Sequence, residues 1–192
     1  MAIEFELKFR ATQAIQDRLR QALPQGQELQ MHTTYYDTPS GALSARFYTL
    51  RRRLENGISV CTLKAPAQGG GRGEWELEHP DIETAIEKLC KLGAPADLPA
   101  LTAEGIVAVC GAKFTRTACL VTLPECTVEV ALDAGILYGG SREIPLCEVE
   151  VELKEGSREA CVLYAKLLAA RYGLAPEEGS KFRRALALYQ GE

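Results

Sequence analysis

Apolar and charged residues alternate along several short segments of the chain, with the two-residue period of a β-strand that has two different faces. The first such segment covers residues 3–10, where Ile, Phe and Leu alternate with Glu, Lys and Arg. Two further segments, 47–54 and 58–65, flank Asn56-Gly57, a dipeptide that favours a tight hairpin turn. The other predicted strands cover residues 74–78, 113–123, 127–133, 136–138 and 144–154.

The apolar residues of three other segments follow helical spacing instead. These segments cover residues 12–23, 81–92 and 157–172. Ser157 is a good N-cap for the third, which is expected to end before Gly173. Shorter helices are predicted at residues 99–108 and after Ser180. Because neither a repeat nor a linker divides the sequence, we predict one domain over residues 1–192.

Composition and charge exclude several classes of protein. The 192 residues are 46% hydrophobic and 25% charged, which is typical of a globular domain. A formal net charge of -4 gives no overall positive field for nucleic acid or an anionic membrane. The first ten residues lack the apolar run of a signal peptide, so a cytoplasmic location is expected. The seven cysteines are too widely spaced to predict a CxxC metal pair.

Acidic residues recur on one face of three predicted strands. Such faces are often solvated in antiparallel sheets. Like charges two residues apart nevertheless repel one another unless cations or basic neighbours intervene, and the helices need the apolar strand faces to pack on. We therefore expect the charged faces to line the interior of a curved sheet. The clusters are Glu4/Glu6, Glu74/Glu76/Glu78 and Glu148/Glu150/Glu152, and bases on the same faces are Lys8, Arg51, Arg53, Lys64 and Arg116.

A closed antiparallel sheet of about eight strands can enclose a small ligand. Carboxylate oxygens suit Mg²⁺ or Mn²⁺, while guanidinium and ammonium groups bind phosphate oxygens. The pattern therefore indicates a polyphosphate held together with a divalent cation. A large salt-bridge network between strands would produce the same pattern, and this alternative stays open.

The segment Glu4-Phe5-Glu6-Leu7-Lys8 is similar to the ExExK motif of the CYTH superfamily, the triphosphate tunnel metalloenzymes. The resemblance implies an α+β fold: a closed eight-stranded antiparallel β-barrel, or tunnel, with helices packed on the outside. It also implies that the chain hydrolyses or rearranges triphosphates with Mg²⁺ or Mn²⁺. Further matching segments are Tyr35-Tyr36-Asp37-Thr38-Pro39, Leu50-Arg51-Arg52-Arg53, Thr62-Leu63-Lys64, Arg72-Gly73-Glu74-Trp75-Glu76, Thr115-Arg116, Glu129, Asp133-Ala134-Gly135, Glu148-Val149-Glu150 and Ser180-Lys181-Phe182-Arg183-Arg184.

The resemblance also implies roles for individual residues. Phe114 departs from the family pattern, because many relatives have a basic residue there, and Arg52 is expected on the outer surface. The implied metal ligands are Glu4, Glu6, Asp133, Glu148 and Glu150, with Glu152 as a further candidate. The implied phosphate-binding residues are Lys8, Arg51, Arg53, Lys64, Arg116 and Lys181. Glu4, Glu6, Lys8 and Lys64 are the expected catalytic residues.

The activity expected from these residues is metal-dependent hydrolysis of tripolyphosphate to pyrophosphate and phosphate, by direct attack of water. A thiamine triphosphatase and a class IV-type adenylyl cyclase would use the same fold. A polyphosphate- or nucleotide-binding module without activity is a fourth hypothesis, although it would need no paired carboxylates. The expected partner is a triphosphate-containing small molecule, without nucleic acid or membrane, and a homodimer is an open alternative.

Overall fold

A computed structural model describes residues 2–3, 5–67 and 71–191 of the chain. In these residues the backbone forms ten β-strands and six α-helices. The strands are β1 (Ala2–Ile3), β2 (Glu6–Arg10), β3 (Gln27–Asp37), β4 (Thr49–Glu55), β5 (Ile58–Pro66), β6 (Arg72–Glu78), β7 (Val107–Thr122), β8 (Cys126–Gly139), β9 (Arg142–Gly156) and β10 (Ala175–Pro176). The helices are α1 (Gln13–Ala22), α2 (Ala42–Ala45), α3 (Ile82–Lys91), α4 (Leu98–Leu101), α5 (Arg158–Tyr172) and α6 (Lys181–Gln190).

The described strands form one antiparallel sheet in the order β1-β6-β5-β4-β3-β7-β8-β9-β2-β10. Eight of them, β2 to β9, have five or more residues. The predicted antiparallel sheet with helices is therefore confirmed. Its closure into a barrel is approximate, because the hydrogen-bonded order begins at β1 and ends at β10. The N-terminal segment nevertheless reaches both margins of the sheet, since β1 pairs with β6 and β2 pairs with β9.

Two apolar clusters cover the side of the sheet that carries few charges. One cluster joins α1 and α5 to β2, β8 and β9 through residues such as Leu19, Val149 and Cys161. The other joins α3 and α4 to β4, β5 and β6 through residues such as Leu63 and Leu89. Apolar burial of this kind stabilises the sheet and leaves its charged face toward the interior, as the alternation predicts.

Helix α6 differs from the prediction that helices pack on the outside. Its first residues, Lys181 and Phe182, line the interior cavity. Phe182 and Ala185 belong to a third apolar cluster with Met31, Tyr35 and Phe114 of β3 and β7. Because these strand residues face inward, α6 occupies part of the concave side of the sheet.

Strand β3 was not predicted as a strand. Its sequence, from Gln27 to Asp37, carries polar residues on both faces and few aliphatic ones, so period-two alternation is weak. It is a strand because it lies between β4 and β7 and pairs with both. Pairing of this kind outweighs local propensity. The register shifts between Tyr35 and Tyr36, which is a β-bulge.

Three other boundaries differ from the predictions. The predicted 99–108 helix ends at Leu101, because Gly105 has a φ of 91° and residue 107 already begins β7. The two strands predicted at 127–133 and 136–138 form one strand, β8. Its Gly135 lies opposite Phe114, and an added Cβ would overlap the backbone of β7. The single strand predicted at 3–10 is divided into β1 and β2.

Turn and cap chemistry determines the correctly predicted elements. Asn56 and Gly57 have φ values of 49° and 90°, as a tight β4–β5 hairpin requires. The Ser157 and Ser180 hydroxyls accept hydrogen bonds from Ala160 N and Arg183 N at the starts of α5 and α6, both at 3.1 Å. Across the described residues, every helix is too short or too polar to cross a membrane.

Candidate active site

The concave face of the sheet encloses a cavity of about 350 Å³. Its lining is strongly charged, and both sides carry both signs. We call the β4–β6 side the basic side, although Glu55, Glu74 and Glu76 also line it. We call the side formed by β2, β8 and β9 the acidic side, although Lys8 and Lys154 also line it. The basic group contains Arg51, Arg53, Lys64 and Arg72, and the acidic group contains Glu6, Glu129, Glu150 and Glu152.

Three guanidinium groups lie close enough to affect one another on the basic side. Arg53 is 9% exposed, and its Nε donates to Thr33 Oγ1 at 3.1 Å. Burial lowers the pKa of Arg53, and the charges of Arg51 and Arg116 lower it further. Glu55 Oε1, 3.3 Å from Arg53 Nη1, offsets only part of these effects. A bound polyanion would relieve this repulsion.

Arg51 and Lys64 share a single carboxylate. Glu74 Oε1 lies 3.3 Å from Arg51 Nη2 and 3.5 Å from Lys64 Nζ. Arg52, one residue out of phase, donates from Nη1 to the Pro80 carbonyl at 2.9 Å and does not line the cavity. The structure therefore places Arg51, Arg53 and Lys64 on the inward face and Arg52 on the other, as the alternation predicts.

Three carboxylates on the opposite side form a buried cluster, which we call the acid trio: Asp133, Glu148 and Glu150. One oxygen of each lies within 4.8 Å of one oxygen of the others. Asp133 and Glu148 are fully buried and are directly paired across β8 and β9. Glu150 also lines the cavity.

Basic residues pair with all three members of the acid trio, which is the kind of salt-bridge network that the charge pattern of the strands also allows. Lys181 Nζ contacts all three members, at 2.7 Å from Asp133 Oδ2 and 2.8 Å from Glu150 Oε1, and pairs with Glu148. Arg116 binds both oxygens of Asp133, at 2.8 and 2.7 Å, and Glu150 at 2.5 Å. Buried carboxylates without such partners would be strongly destabilising, which is the physical reason for the pairing.

The paired charges shift the acidities within the cluster. Burial would raise the pKa of Glu150, but Lys181 and Arg116 outweigh it and hold the pKa well below its usual range. Burial likewise opposes the charge of Lys181, yet the acid trio raises the pKa of this ammonium. For Glu148, burial is the largest effect and raises the pKa. Glu148 is therefore a weaker acid than Glu150.

A second row of carboxylates crosses three neighbouring strands on the same side of the cavity. Glu152 of β9 pairs directly with Glu6 of β2 and Glu129 of β8. Lys8 Nζ lies 3.3 Å from Glu6, while Lys154 Nζ lies 2.9 Å from Glu152 and 3.8 Å from Glu129. The predicted residues Glu6 and Lys8 thus line the cavity together. Glu4, expected beside them, lies outside the described residues.

Several residues of the site were given no role from the sequence. Arg184 pairs with Glu148 and lies one helical turn after Lys181, so the three-residue spacing was the signal that could have identified it. Lys154 and Glu129 continue the alternation of β9 and β8 into the cavity. Phe114 replaces a basic residue with an aromatic ring that lies 5.3 Å from Lys181 Nζ and 5.9 Å from the Arg116 guanidinium carbon. The ring therefore makes cation–π contacts with Lys181 and Arg116.

The donor chemistry of the acidic side suits a divalent cation such as Mg²⁺ or Mn²⁺. These ions prefer carboxylate oxygens, and the acid trio has the required spacing. Lys181, Arg116 and Arg184 are cations that the trio binds in this structure. Glu150 and Glu6 also present carboxylates to the cavity. The residues therefore fit a metal ion in ligand type, with these three side chains as its competitors.

Comparison with known proteins agrees with this architecture. The model of the CYTH domain matches residues 2–186. The chain belongs to the CYTH domain family. A curated relative, inorganic triphosphatase from Haemophilus influenzae, is 28% identical over 195 residues. The match covers 98% of this chain and 55% of that relative, so the chain spans about half of the relative's length.

Solved structures share the CYTH fold of this chain. HpAC1 from Hippeastrum, a candidate adenylyl cyclase with a dominant triphosphatase activity, superposes with a TM-score of 0.65 at 19% identity. That match covers 98% of this chain and 96% of HpAC1. The PH1819 protein from Pyrococcus horikoshii gives a TM-score of 0.63 at 22% identity, covering 95% of this chain and 98% of that protein. These structural similarities support the fold of this chain and do not extend to its activity.

Proposed function

We propose that this CYTH domain is a metal-dependent triphosphatase that hydrolyses tripolyphosphate to pyrophosphate and phosphate. The observation that carries the proposal is the set of basic side chains that line one enclosed cavity together with carboxylates: Arg51, Arg53, Lys64 and Arg72. An extended polyanion is the ligand that best balances such a group. The inorganic triphosphatase activity of the Haemophilus influenzae relative supports the same substrate class.

The shape of the cavity favours an inorganic chain over a nucleoside or thiamine derivative. Its aromatic lining residues among the described ones are Tyr35 and Phe182, which are both buried. Their ring centroids lie 5.2 Å apart with a tilt of 49°, so the two rings pack on each other. The rest of the lining is mostly charged, which suits phosphoryl oxygens.

In the proposed reaction the basic side of the cavity holds the substrate. Arg51, Arg53 and Lys64 contact phosphate oxygens, and Lys8 reaches the cavity from the opposite side. These groups neutralise charge that develops on the transferred and leaving groups, which is the main requirement of a loose phosphoryl-transfer transition state. Water attacks directly, so the reaction needs no side-chain nucleophile.

The acidic side of the cavity holds the divalent cation in this proposal. Glu6 and Glu150 present carboxylates to the cavity, and Asp133 and Glu148 beside Glu150 would be further ligands. When bound, a divalent cation would supply Lewis-acid polarisation of phosphoryl oxygens. Lys181 also lines the cavity, so its ammonium would bind a phosphate oxygen in addition to balancing the charge of the acid trio.

A substrate panel tests the proposal. Tripolyphosphate, ATP and thiamine triphosphate are each supplied with Mg²⁺ or Mn²⁺, and phosphate release is measured separately from cyclic nucleotide formation. We expect tripolyphosphate to give the highest kcat/KM and a chelator to abolish turnover, because no contact compensates for the bulk of an organic group. Higher efficiency with ATP, or a cyclic product, would instead indicate a nucleotide enzyme.

A further inference from the structure

A buried glutamine on the convex side of the sheet contacts the backbone of the acid trio. Gln16 belongs to α1 and is 0% exposed. Its Nε2 donates to the main-chain carbonyl of Asp133 at 2.9 Å and to that of Glu148 at 3.0 Å. Its Oε1 accepts a hydrogen bond from Arg20 Nη2 at 3.3 Å. All polar atoms of this buried side chain thus have partners.

The two carbonyl groups belong to residues that are directly opposite each other on β8 and β9. Asp133 pairs with Glu148, and their carboxylates are two of the three members of the acid trio. A single amide group bonded to both carbonyls fixes the separation of the two strands at this point. Both acidic side chains extend from this stretch of backbone, so Gln16 constrains the points from which the two carboxylates reach Lys181.

The surroundings of Gln16 show why its polarity is informative. Neighbouring residues of α1, Ile15 and Leu19, pack in the apolar cluster formed with α5 and the sheet. Burying an amide in such a place costs free energy unless it is hydrogen-bonded, and an apolar side chain of equal length would fill the same volume. Packing alone therefore does not require glutamine at this position.

We propose that Gln16 is a positioning residue that sets the geometry of the acid trio from outside the cavity. The proposal rests on the function proposed above, because it assigns the acid trio a part in metal binding and turnover. Groups that orient metal ligands from behind typically change metal affinity or activity by about 10- to 100-fold when they are removed.

The test replaces the amide with an apolar side chain of similar length. Gln16→Met should lower kcat for tripolyphosphate by about 10- to 100-fold while KM changes little, because substrate oxygens are held mainly by the opposite, basic side. Gln13→Met is the matched control, since Gln13 lies on the same helix, is exposed and donates to Asp17 Oδ1 at 2.9 Å. Gln16→Met should also lower the thermal midpoint, because two main-chain carbonyls lose a donor, so kcat is compared at a temperature at which both variants are folded.

A second measurement needs no turnover. Calorimetric titration of the protein with Mn²⁺ alone should show affinity about 10- to 100-fold weaker in Gln16→Met than in the control. Wild-type protein that binds Mn²⁺ but does not hydrolyse tripolyphosphate would overturn the proposed function, and the Mn²⁺ comparison would still decide the role of Gln16. Gln16→Asn, which withdraws the amide by one methylene, should show the same losses.

Two results would overturn the proposal for Gln16. One is a folded Gln16→Met variant with the kcat and Mn²⁺ affinity of the control. The other is loss of folding in both Gln16→Met and Gln16→Asn, which would assign the glutamine a purely structural role.

Discussion

Adjacent arginines on β4 allow a sharp test of which face holds the substrate. Arg53→Ala removes a guanidinium that is 9% exposed and lines the cavity. A hydrogen bond to a charged group is worth about 1.5–3 kcal/mol, and each 1.4 kcal/mol corresponds to about a tenfold change. We therefore expect kcat/KM for tripolyphosphate to fall by about ten- to a hundredfold.

Arg52→Ala is the control, because Arg52 points to the other face and donates to the Pro80 carbonyl. An outward charge of this kind contributes about 0–1 kcal/mol, so the loss should stay below about fivefold. Arg53→Lys should recover part of the activity, since it keeps the charge but not the planar fork. The assay is phosphate release at fixed Mg²⁺, with circular dichroism to verify folding. Equal losses in the two alanine variants would refute the inward orientation of Arg53.

Three further predictions concern the acid trio and the sheet around it. Glu148→Gln removes a carboxylate that pairs with Lys181 and Arg184, so it should reduce turnover, and wild-type kinetics would contradict this. Because burial raises the pKa of Glu148, the neutral side chain should change the free energy of unfolding in urea only slightly. The pKa of Lys181 is raised in the folded protein, so its charge stabilises the fold. This stabilisation is complete below the pKa of an unfolded lysine, about 10.4, and is lost as the pH rises through the pKa of the folded state. Urea denaturation should show this alkaline loss, and the loss should be smaller in Lys181→Met. Gly135→Ala brings a methyl group against the β7 backbone, so it should lower the thermal midpoint more than the neighbouring Ala134→Gly does. A decrease in the midpoint that is no larger than that of Ala134→Gly would show that β7 and β8 can separate locally.

Local chemistry accounts for the parts of the fold that were predictable. The hairpin of β4 and β5 follows from Asn56-Gly57, whose positive φ values fix the register of the flanking strands. The two-residue alternation of side chains along β4 correctly predicts that Arg52 lies on the opposite face from Arg51 and Arg53. Strand β3 was not predictable in this way, because its identity depends on the two strands that flank it.

The sequence predicts which strand face each charged residue of the site lies on, but not which residue it pairs with. Alternation along β9 places Glu148 and Glu150 on one side, and family resemblance associates Lys181 with the same cavity. The contacts between them depend on how α6 docks against β8 and β9, which local sequence does not encode. The role of Gln16 is similarly hidden, since its partners are carbonyl groups 117 and 132 residues away along the chain.

The route of the N-terminal segment determines when the sheet can be completed during synthesis. β2 pairs with β9, so its ladder must wait until residues 142–156 have been made, a delay on the order of ten seconds at about 5–20 residues per second. Until then β2 lacks this partner, and an unpaired strand edge is prone to association with other chains. The acid trio waits longer still, because Lys181 and Arg184 are supplied by α6. The trio therefore gains these two cations only after residues 181–190 have been made and α6 has docked.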